Sequence, residues 1–94
     1  MDEPVIASSG NIFADLGFPP DEAMLLSMRA DLMADLRLVI TQKGWTRTEA
    51  AKVLRITQSR VSDLVCGKWA KFSLDMLVML AIRAGIRVEV RHAA

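Results

Sequence analysis

Apolar residues recur at helical spacing through most of the chain. From residue 21 to about residue 43 there is no Pro or Gly, and acidic residues occupy the first turn. The apolar side chains of this stretch return every three or four positions: Leu25, Met28, Leu32, Leu36, Val39 and Ile40. This spacing places them on one face of a helix. We therefore predict a long helix that ends at Gly44, a common helix stop.

Two short helices joined by a tight turn are predicted next. Thr46 and Glu49 form a capping-box pattern, in which a hydroxyl and a carboxylate each satisfy a free backbone N–H at a helix start. The helix that they begin should run to about Leu54. Thr57 is again a residue type that caps helices, and Gly67 offers the next stop.

The last part of the chain changes from helical to alternating periodicity. Ser73 can cap a helix over residues 74–84, which is apolar nearly all round and should be buried on more than one side. Residues 86–91 then alternate apolar and charged side chains, as a half-buried strand does. Because a single strand cannot form a sheet, its partner should be the segment 11–16 or the same strand of a second subunit. The second option predicts a dimer.

The first twenty residues contain Pro, Gly, Ser and Asn at a density that argues against a long regular element. We expect residues 1–10 to be flexible. Four apolar side chains that follow should pack as a short turn or strand: Ile12, Phe13, Leu16 and Phe18. The 94 residues, 52% of them hydrophobic, fit one compact domain, which we place at residues 11–94. Its modest core should gain from oligomerisation.

Charge is distributed unevenly, although the formal net charge is only +1. Residues 1–35 hold seven acids and one Arg, a net charge of −6, whereas residues 36–94 hold eleven Lys or Arg and four acids, a net charge of +7. Such asymmetry indicates either a half that faces a polyanion and a separate acidic surface, or two ordinary solvated faces. Charge alone does not choose between these two interpretations.

Nothing in the sequence points to catalysis. The chain has no Gly-rich phosphate loop, metal-ligand cluster or paired nucleophile and base, so we expect no enzymatic activity, cofactor or metal. Asp31 and Asp35 lack a third ligand and should be solvated. Cys66, the only cysteine, should be packed rather than reactive. The acidic N-terminus is unlike a secretory signal and no apolar run reaches membrane-spanning length, which favours a cytoplasmic protein.

Residues 47–65 have the pattern that two crossed short helices need. Ala50 and Ala51 are small where the helices must approach closely. The buried contact should come from five larger side chains: Val53, Leu54, Ile56, Val61 and Leu64. The remaining polar side chains of the second helix then point outward, and such a set at a helix N-terminus suits reading of the DNA major groove.

The sequence resembles helix-turn-helix proteins of the repressor-like (Xre) superfamily, and more closely the short subgroup that includes HigA-like antitoxins. The similarity is carried by residues 11–18 (NIFADLGF), 48–51 (TEAA), 56–64 (ITQSRVSDL), 67–68 (GK) and 72–74 (FSL). It implies an all-α fold, a five-helix repressor-like domain, to which the alternation of residues 86–91 adds a short C-terminal β-strand that pairs in a dimer. The dimer contacts would come from Met76, Met79, Ile86, Val88 and Val90.

The resemblance also implies a recognition helix that begins at Gln58. Base edges would be read by Thr57, Gln58, Ser59, Arg60 and Ser62. Phosphates would be held by Arg47, Lys52, Lys68 and Lys71, which add salt sensitivity rather than specificity. Glutamine can pair bidentately with adenine, while Arg60 could read guanine or hold a phosphate.

Two positions depart from the family pattern. Arg47 replaces the glutamine that usually begins the first motif helix, which removes a neutral hydrogen-bond bridge. Arg55 stands where the turn glycine usually lies, and a non-glycine residue in a left-handed conformation costs about 1 kcal/mol. The turn, and with it the tilt of the recognition helix, is expected to be strained or reshaped.

The function implied is a homodimeric repressor that binds a palindromic operator in double-stranded DNA, with its own operon as target. A HigA-like protein would also neutralise a RelE-like ribonuclease toxin, and a basic partner would suit the acidic N-terminal half. The alternative is a protein-interaction module that keeps the fold and has lost specific DNA binding, to which Arg55 and the small net charge point.

Overall fold

The computed structural model describes residues 12–89, which fold as a set of helices. In chain order these are α1 (Ile12–Asp15), α2 (Pro20–Lys43), α3 (Arg47–Leu54), α4 (Gln58–Val65), a 3-10 turn (Trp69–Lys71) and α5 (Leu74–Arg83). The all-helical prediction is therefore confirmed for this part of the chain. No helix between residues 12 and 89 is long and apolar enough to cross a membrane.

The expected count of five helices is not supported. Only four helices in the described range have eight residues or more, because the segment before α2 forms the single turn α1. Gly17, at φ 94°, reverses the chain before a second turn can form. The proposed flexibility of residues 1–10 concerns residues that lie outside the described range.

Local signals in the sequence fix the helix ends. Gly44, at φ 66°, ends α2 in the left-handed conformation that glycine adopts without strain. The capping box is formed, since the Thr46 hydroxyl accepts from the Glu49 N–H at 3.1 Å and Glu49 Oε1 accepts from the Thr46 N–H at 2.9 Å. Thr57 and Ser73 cap α4 and α5 in the same way, through their hydroxyl oxygens. All four boundary predictions are confirmed.

The turn between α3 and α4 contains the backbone strain that the sequence predicted. Arg55 has φ 60° and ψ 44°, and it is the one non-glycine residue with positive φ in the described part of the chain. Its N–H closes the helix end on the Ala51 carbonyl. The carbonyl of Leu54 accepts a hydrogen bond from Arg83 Nη1 of α5 at 2.9 Å. The strained turn is thus attached to α5.

The core lies where α2 to α5 meet. Its largest fully buried side chains are Leu36, Leu54, Val61, Leu64, Phe72, Leu77 and Leu80. Burying one such side chain contributes roughly 1.5–3 kcal/mol. Val61 and Leu64 bury one face of α4 in this core. The packing of that face determines which side chains of α4 point to solvent.

The predicted C-terminal strand is wrong for the residues that can be described. Residues 86–89 form no strand. The segment 11–16, which was proposed to pair with them, contains the single helical turn α1. Ile86 and Val88 alternate with exposed neighbours because they pack against the core of their own chain. Val90 and Arg91 lie outside the described range. Burial on one side, without a paired strand, therefore explains the alternation.

Helix α5 is also less enclosed than its composition predicts. Met76 packs against the core, but Met79 and Ile82 are 45% and 60% exposed. These two side chains are three residues apart and share one face of the helix. The expectation that α5 is buried on more than one side is wrong for this face in the single chain.

Candidate nucleic-acid interface

The N-terminal end of α4 presents polar side chains to solvent. Thr57, Gln58 and Ser59 are exposed, while Val61 and Leu64 on the opposite face are buried. The Thr57 hydroxyl accepts a hydrogen bond from the Arg60 N–H at 3.2 Å, which fixes the first turn of the helix. Exposed polar groups on a rigid helix end are what base recognition in the major groove requires.

Gln58 is oriented by the preceding helix. Its Nε2 donates to Thr48 Oγ1 of α3 at 3.2 Å. A neutral hydrogen bond therefore joins α4 to α3 through Thr48, next to the Arg47 that replaces the glutamine of the family pattern. Because an amide nitrogen has two N–H groups, Gln58 keeps one donor and its carbonyl oxygen for a base. Those two groups are the pair that adenine accepts and donates to in the major groove.

Arg60 lies against the 3-10 turn instead of extending into solvent. Its guanidinium carbon is 4.5 Å from the centroid of the Phe72 ring, and Nη2 donates to the Lys71 carbonyl at 3.4 Å. The side chain is half-buried. Reading a base would require it to leave Phe72, so the structure places Arg60 apart from Gln58 and Ser59. Ser62, which is also half-buried, lies one turn further along α4.

The four predicted phosphate ligands are all exposed, and they belong to the elements that precede and follow α4 in the chain. Arg47 and Lys52 belong to α3, and Lys68 and Lys71 belong to the segment after α4. Both lysines of the second pair lie near one carboxylate of α4, that of Asp63. Exposed positive side chains near a polar helix end are of the type that contacts phosphates in protein–DNA complexes.

The 3-10 turn is held in place by Arg29 of α2. Arg29 Nη2 donates to the Phe72 carbonyl at 2.8 Å and to the Trp69 carbonyl at 3.2 Å, and its Nε donates to Phe72 at 3.1 Å. The guanidinium carbon of Arg29 also lies 5.1 Å from the Trp69 ring centroid. The ring of Phe13 meets Trp69 edge-on at 5.8 Å. Lys68 and Lys71 therefore sit on a braced segment.

An open cleft of about 330 Å³ adjoins this surface. Its lining comes from the end of α2, the start of α3 and two valines of α4: Ile40, Thr41, Gly44, Trp45, Thr46, Arg47, Val61 and Val65. The cleft contains a single charged side chain, Arg47. Among the described residues, no group of three or more His, Cys, Asp or Glu side chains is placed to hold a metal ion.

Cys66 and the contacts between helices were not foreseen from the sequence. The thiol of Cys66 is exposed, so the prediction that it is packed is wrong. The roles of Thr48, Asp63 and Arg29 were also missed. The partners of Thr48 and Arg29 lie on other helices, and no local pattern identifies them. For Asp63, the nearby Lys68 and Lys71 were a usable signal, since one acid preceded two bases at close spacing.

Two short crossed helices, a capped polar helix end and flanking basic side chains define the helix-turn-helix class of DNA-binding domains. Residues 12–92 match the family model described as "Helix-turn-helix domain". The match covers most of the chain, and the protein therefore belongs to this helix-turn-helix family, which makes it a DNA-binding protein of the regulator type. Comparison with curated proteins gave no significant match.

Proposed function

We propose that the protein is a sequence-specific repressor of Xre type that binds a palindromic operator as a homodimer. The observation that carries this proposal is the orientation of Gln58, which is held by Thr48 at the exposed start of α4. A base-reading side chain that is fixed before binding loses little conformational freedom on the DNA. The proposed activity is binding, without a catalytic step and without a cofactor, and its place is the cytoplasm.

The proposed contacts divide into two groups. Thr57, Gln58, Ser59 and Ser62 read base edges, where a good bidentate pair discriminates by roughly 1–3 kcal/mol. The residues proposed to contact phosphates are Arg47, Lys52, Lys68 and Lys71. Arg60 joins them because its guanidinium lies beside Lys71. This assignment moves Arg60 from base reading to backbone contact, which its position against Phe72 favours.

A dimer is supported by the exposed apolar face of α5. Met79 and Ile82 are large side chains that a monomer would leave in water. Two recognition helices related by a twofold axis would then enter successive major grooves about one helical turn apart.

A second candidate function is binding of a basic protein such as a RelE-like toxin, as in an antitoxin. The supporting observation is the acidic-apolar patch, which we define as residues 15–25. Ten of these eleven residues are exposed, and none is Lys or Arg. The patch combines three acids with four large apolar side chains that are 41–72% exposed: Leu16, Phe18, Met24 and Leu25. Acidic and apolar groups together fit a cationic protein surface better than they fit DNA.

The test of the first function compares binding to the DNA upstream of the gene with binding to a scrambled duplex of the same length, at two salt concentrations. We expect tight, salt-sensitive binding with a clear preference for the upstream duplex. Gln58→Ala should reduce this preference, whereas Lys68→Ala should weaken binding to both duplexes by a similar factor.

Two outcomes would argue against the proposal. Equal losses from Gln58→Ala and Lys68→Ala on both duplexes would contradict the division of roles. Weak binding to both duplexes with a flat response to salt would favour the interaction module. In that case a purified basic toxin encoded next to the gene is the partner to test, with Met24→Glu in the acidic-apolar patch as the variant expected to lose it.

A further inference from the structure

Asp63 stands between two of the basic residues that flank α4. Its Oδ1 lies 3.8 Å from Lys68 Nζ and its Oδ2 lies 3.7 Å from Lys71 Nζ. The Asp63 backbone carbonyl also accepts a hydrogen bond from the Lys68 N–H at 3.0 Å. The carboxylate is 19% exposed, whereas the two lysine side chains are 55% and 54% exposed. One partly buried acid therefore faces two ammonium groups that remain open to solvent.

These ion pairs are loose. Their N···O distances exceed the 2.7–2.9 Å of a charge-assisted hydrogen bond. An exposed pair of this kind contributes little to stability, since solvent screens it and the side chains lose freedom in forming it. Each ammonium also has three N–H donors, so a lysine can meet a phosphate while it stays near the carboxylate. The pairs can therefore yield to DNA at small cost.

We propose that Asp63 is a positioning residue that holds Lys68 and Lys71 beside α4 and restrains their attraction to DNA of any sequence. The inference rests on the proposed function, because it concerns the phosphate contacts of that same surface. The carboxylate offsets one of the two positive charges where the backbone of DNA would lie. Asp63 thus limits the part of the affinity that depends on salt and not on sequence.

The first experiment measures the affinity of the Asp63→Asn variant for the upstream and scrambled duplexes across a range of salt concentrations. Asparagine keeps the shape of the side chain and removes its charge. We expect tighter binding to both duplexes by the same factor, and a slope of log affinity against log salt that is steeper by roughly 0.9. The gain should accordingly be roughly threefold to fourfold larger at 50 mM than at 200 mM salt.

The matched control is Asp75→Asn, which makes the same chemical change in the exposed first turn of α5. It alters the net charge of the protein by the same amount, at a carboxylate that is not the ion-pair partner of either lysine among the described contacts. We expect its affinity and salt slope to stay close to those of the unsubstituted protein. An equal gain from both variants would reduce the effect of Asp63 to net charge and would overturn the proposal.

A second pair of variants tests whether Asp63 acts through the two lysines. This test does not rely on Asp63→Asn alone. The double variant Lys68→Met, Lys71→Met should lower the slope by roughly 0.9, and not by roughly twice that amount, because Asp63 already offsets one charge. Adding Asp63→Asn to it should change binding little. A full gain in that background would mean direct repulsion of DNA by Asp63 and would overturn the positioning role, as would weaker or unchanged binding of Asp63→Asn itself.

The proposed function and this inference fail in different ways. Loss of any preference for the upstream duplex would refute the sequence-specific repressor, while a lysine-dependent gain of Asp63→Asn on scrambled DNA would still support the restraint. A preserved preference without that gain would refute the restraint alone. If no variant binds either duplex at low salt, both are overturned.

Discussion

At the scale of single residues, Arg55 is the clearest case of a side chain in an unfavourable backbone conformation. It adopts φ 60° in the tight turn before the recognition helix. An L-residue pays about 1–2 kcal/mol for the left-handed region, from which glycine is exempt. Replacing Arg55 with glycine would remove this cost only in part, because glycine also increases the conformational entropy of the unfolded chain.

We predict that Arg55→Gly raises the free energy of unfolding by about 0.5–1 kcal/mol. Denaturant unfolding followed by circular dichroism measures it. Arg55→Ala is the matched control, since it removes the charge and keeps the Cβ atom that causes the strain. Equal stabilisation by alanine would show that the charge of Arg55, and not its conformation, is unfavourable.

Asp31 and Asp35 give a stability effect that depends on pH. Burial, and then the charge of Asp35 one turn away, raise the pKa of Asp31 above its ordinary value. A carboxyl whose pKa is raised on folding stabilises the protein below its unfolded pKa, and this contribution is lost as the pH rises through the folded pKa. At neutral pH the pair is therefore unfavourable.

Asp31→Asn should raise the free energy of unfolding at pH 7 by about 0.2–0.5 kcal/mol, the usual size of a like-charge pair on a helix. At pH 3 the gain should vanish. Asp21→Asn, in the first turn of α2, should instead lower stability at pH 7, because an acid there is favoured by the helix dipole. Urea titrations at the two pH values measure these changes. The same gain from Asp31→Asn at both values would contradict an unfavourable charge on Asp31 at neutral pH.

Residue roles were predictable from the sequence where they depend on near neighbours. The capping box of Thr46 and Glu49 spans three residues, and the strain at Arg55 was expected because the proteins that the sequence resembles usually have glycine there. The bond from Gln58 to Thr48 spans ten residues, and it depends on how α3 crosses α4. Side-chain contacts of this kind follow from packing, which periodicity does not specify.

At the scale of elements, helical periodicity was a reliable guide and alternation was not. The four longer helices bury one face each, and the period of 3.6 residues is visible in a single segment. A strand, in contrast, exists only through hydrogen bonds to another strand. Residues 86–89 have the alternation without a partner in the chain, so an irregular segment with Ile86 and Val88 turned to the core satisfies the same pattern.

The 3-10 turn depends on a residue from a distant helix. Arg29 donates three hydrogen bonds to the carbonyls of Trp69 and Phe72 and lies over the Trp69 ring. Arg29→Met should lower the free energy of unfolding by about 2–3 kcal/mol, because the carbonyls lose charged donors in a partly buried place. Thermal unfolding measures the effect.

The control for this variant is Arg87→Met. Arg87 is 89% exposed and pairs only with Glu89 among the described contacts, a surface pair that contributes little. Its loss should cost less than about 0.5 kcal/mol. If Arg29→Met were as mild as Arg87→Met, Arg29 would not be what holds the turn.

At the scale of the whole molecule, the exposed face of α5 decides whether the protein works alone. We predict that Met79→Glu converts the proposed dimer to a monomer, because a charge replaces an apolar side chain in the interface. Met24→Glu, at a position on α2 that is similarly exposed, should remain dimeric. Sedimentation velocity distinguishes the two species, and a dimeric Met79→Glu would remove α5 from the interface.

The overall architecture could be predicted in outline, and the assembly could not. Helix order and the position of the helix pair follow from apolar spacing and caps that each lie within one segment. The choice of Met76, Ile86 and Val88 as dimer contacts was made from the same apolar signal, yet these side chains pack against the core of their own chain. Hydrophobicity identifies what avoids water, without identifying which surface does the covering.

The exposed thiol of Cys66 gives the protein a chemical handle of its own. It is the only cysteine in the chain, and it follows directly on the last residue of α4. A thiol-reactive fluorophore would therefore attach at one defined point, next to the helix proposed to enter the groove, without any substitution. Occupancy of DNA could be followed by the polarisation of that dye, and air oxidation could link two copies through the same atom.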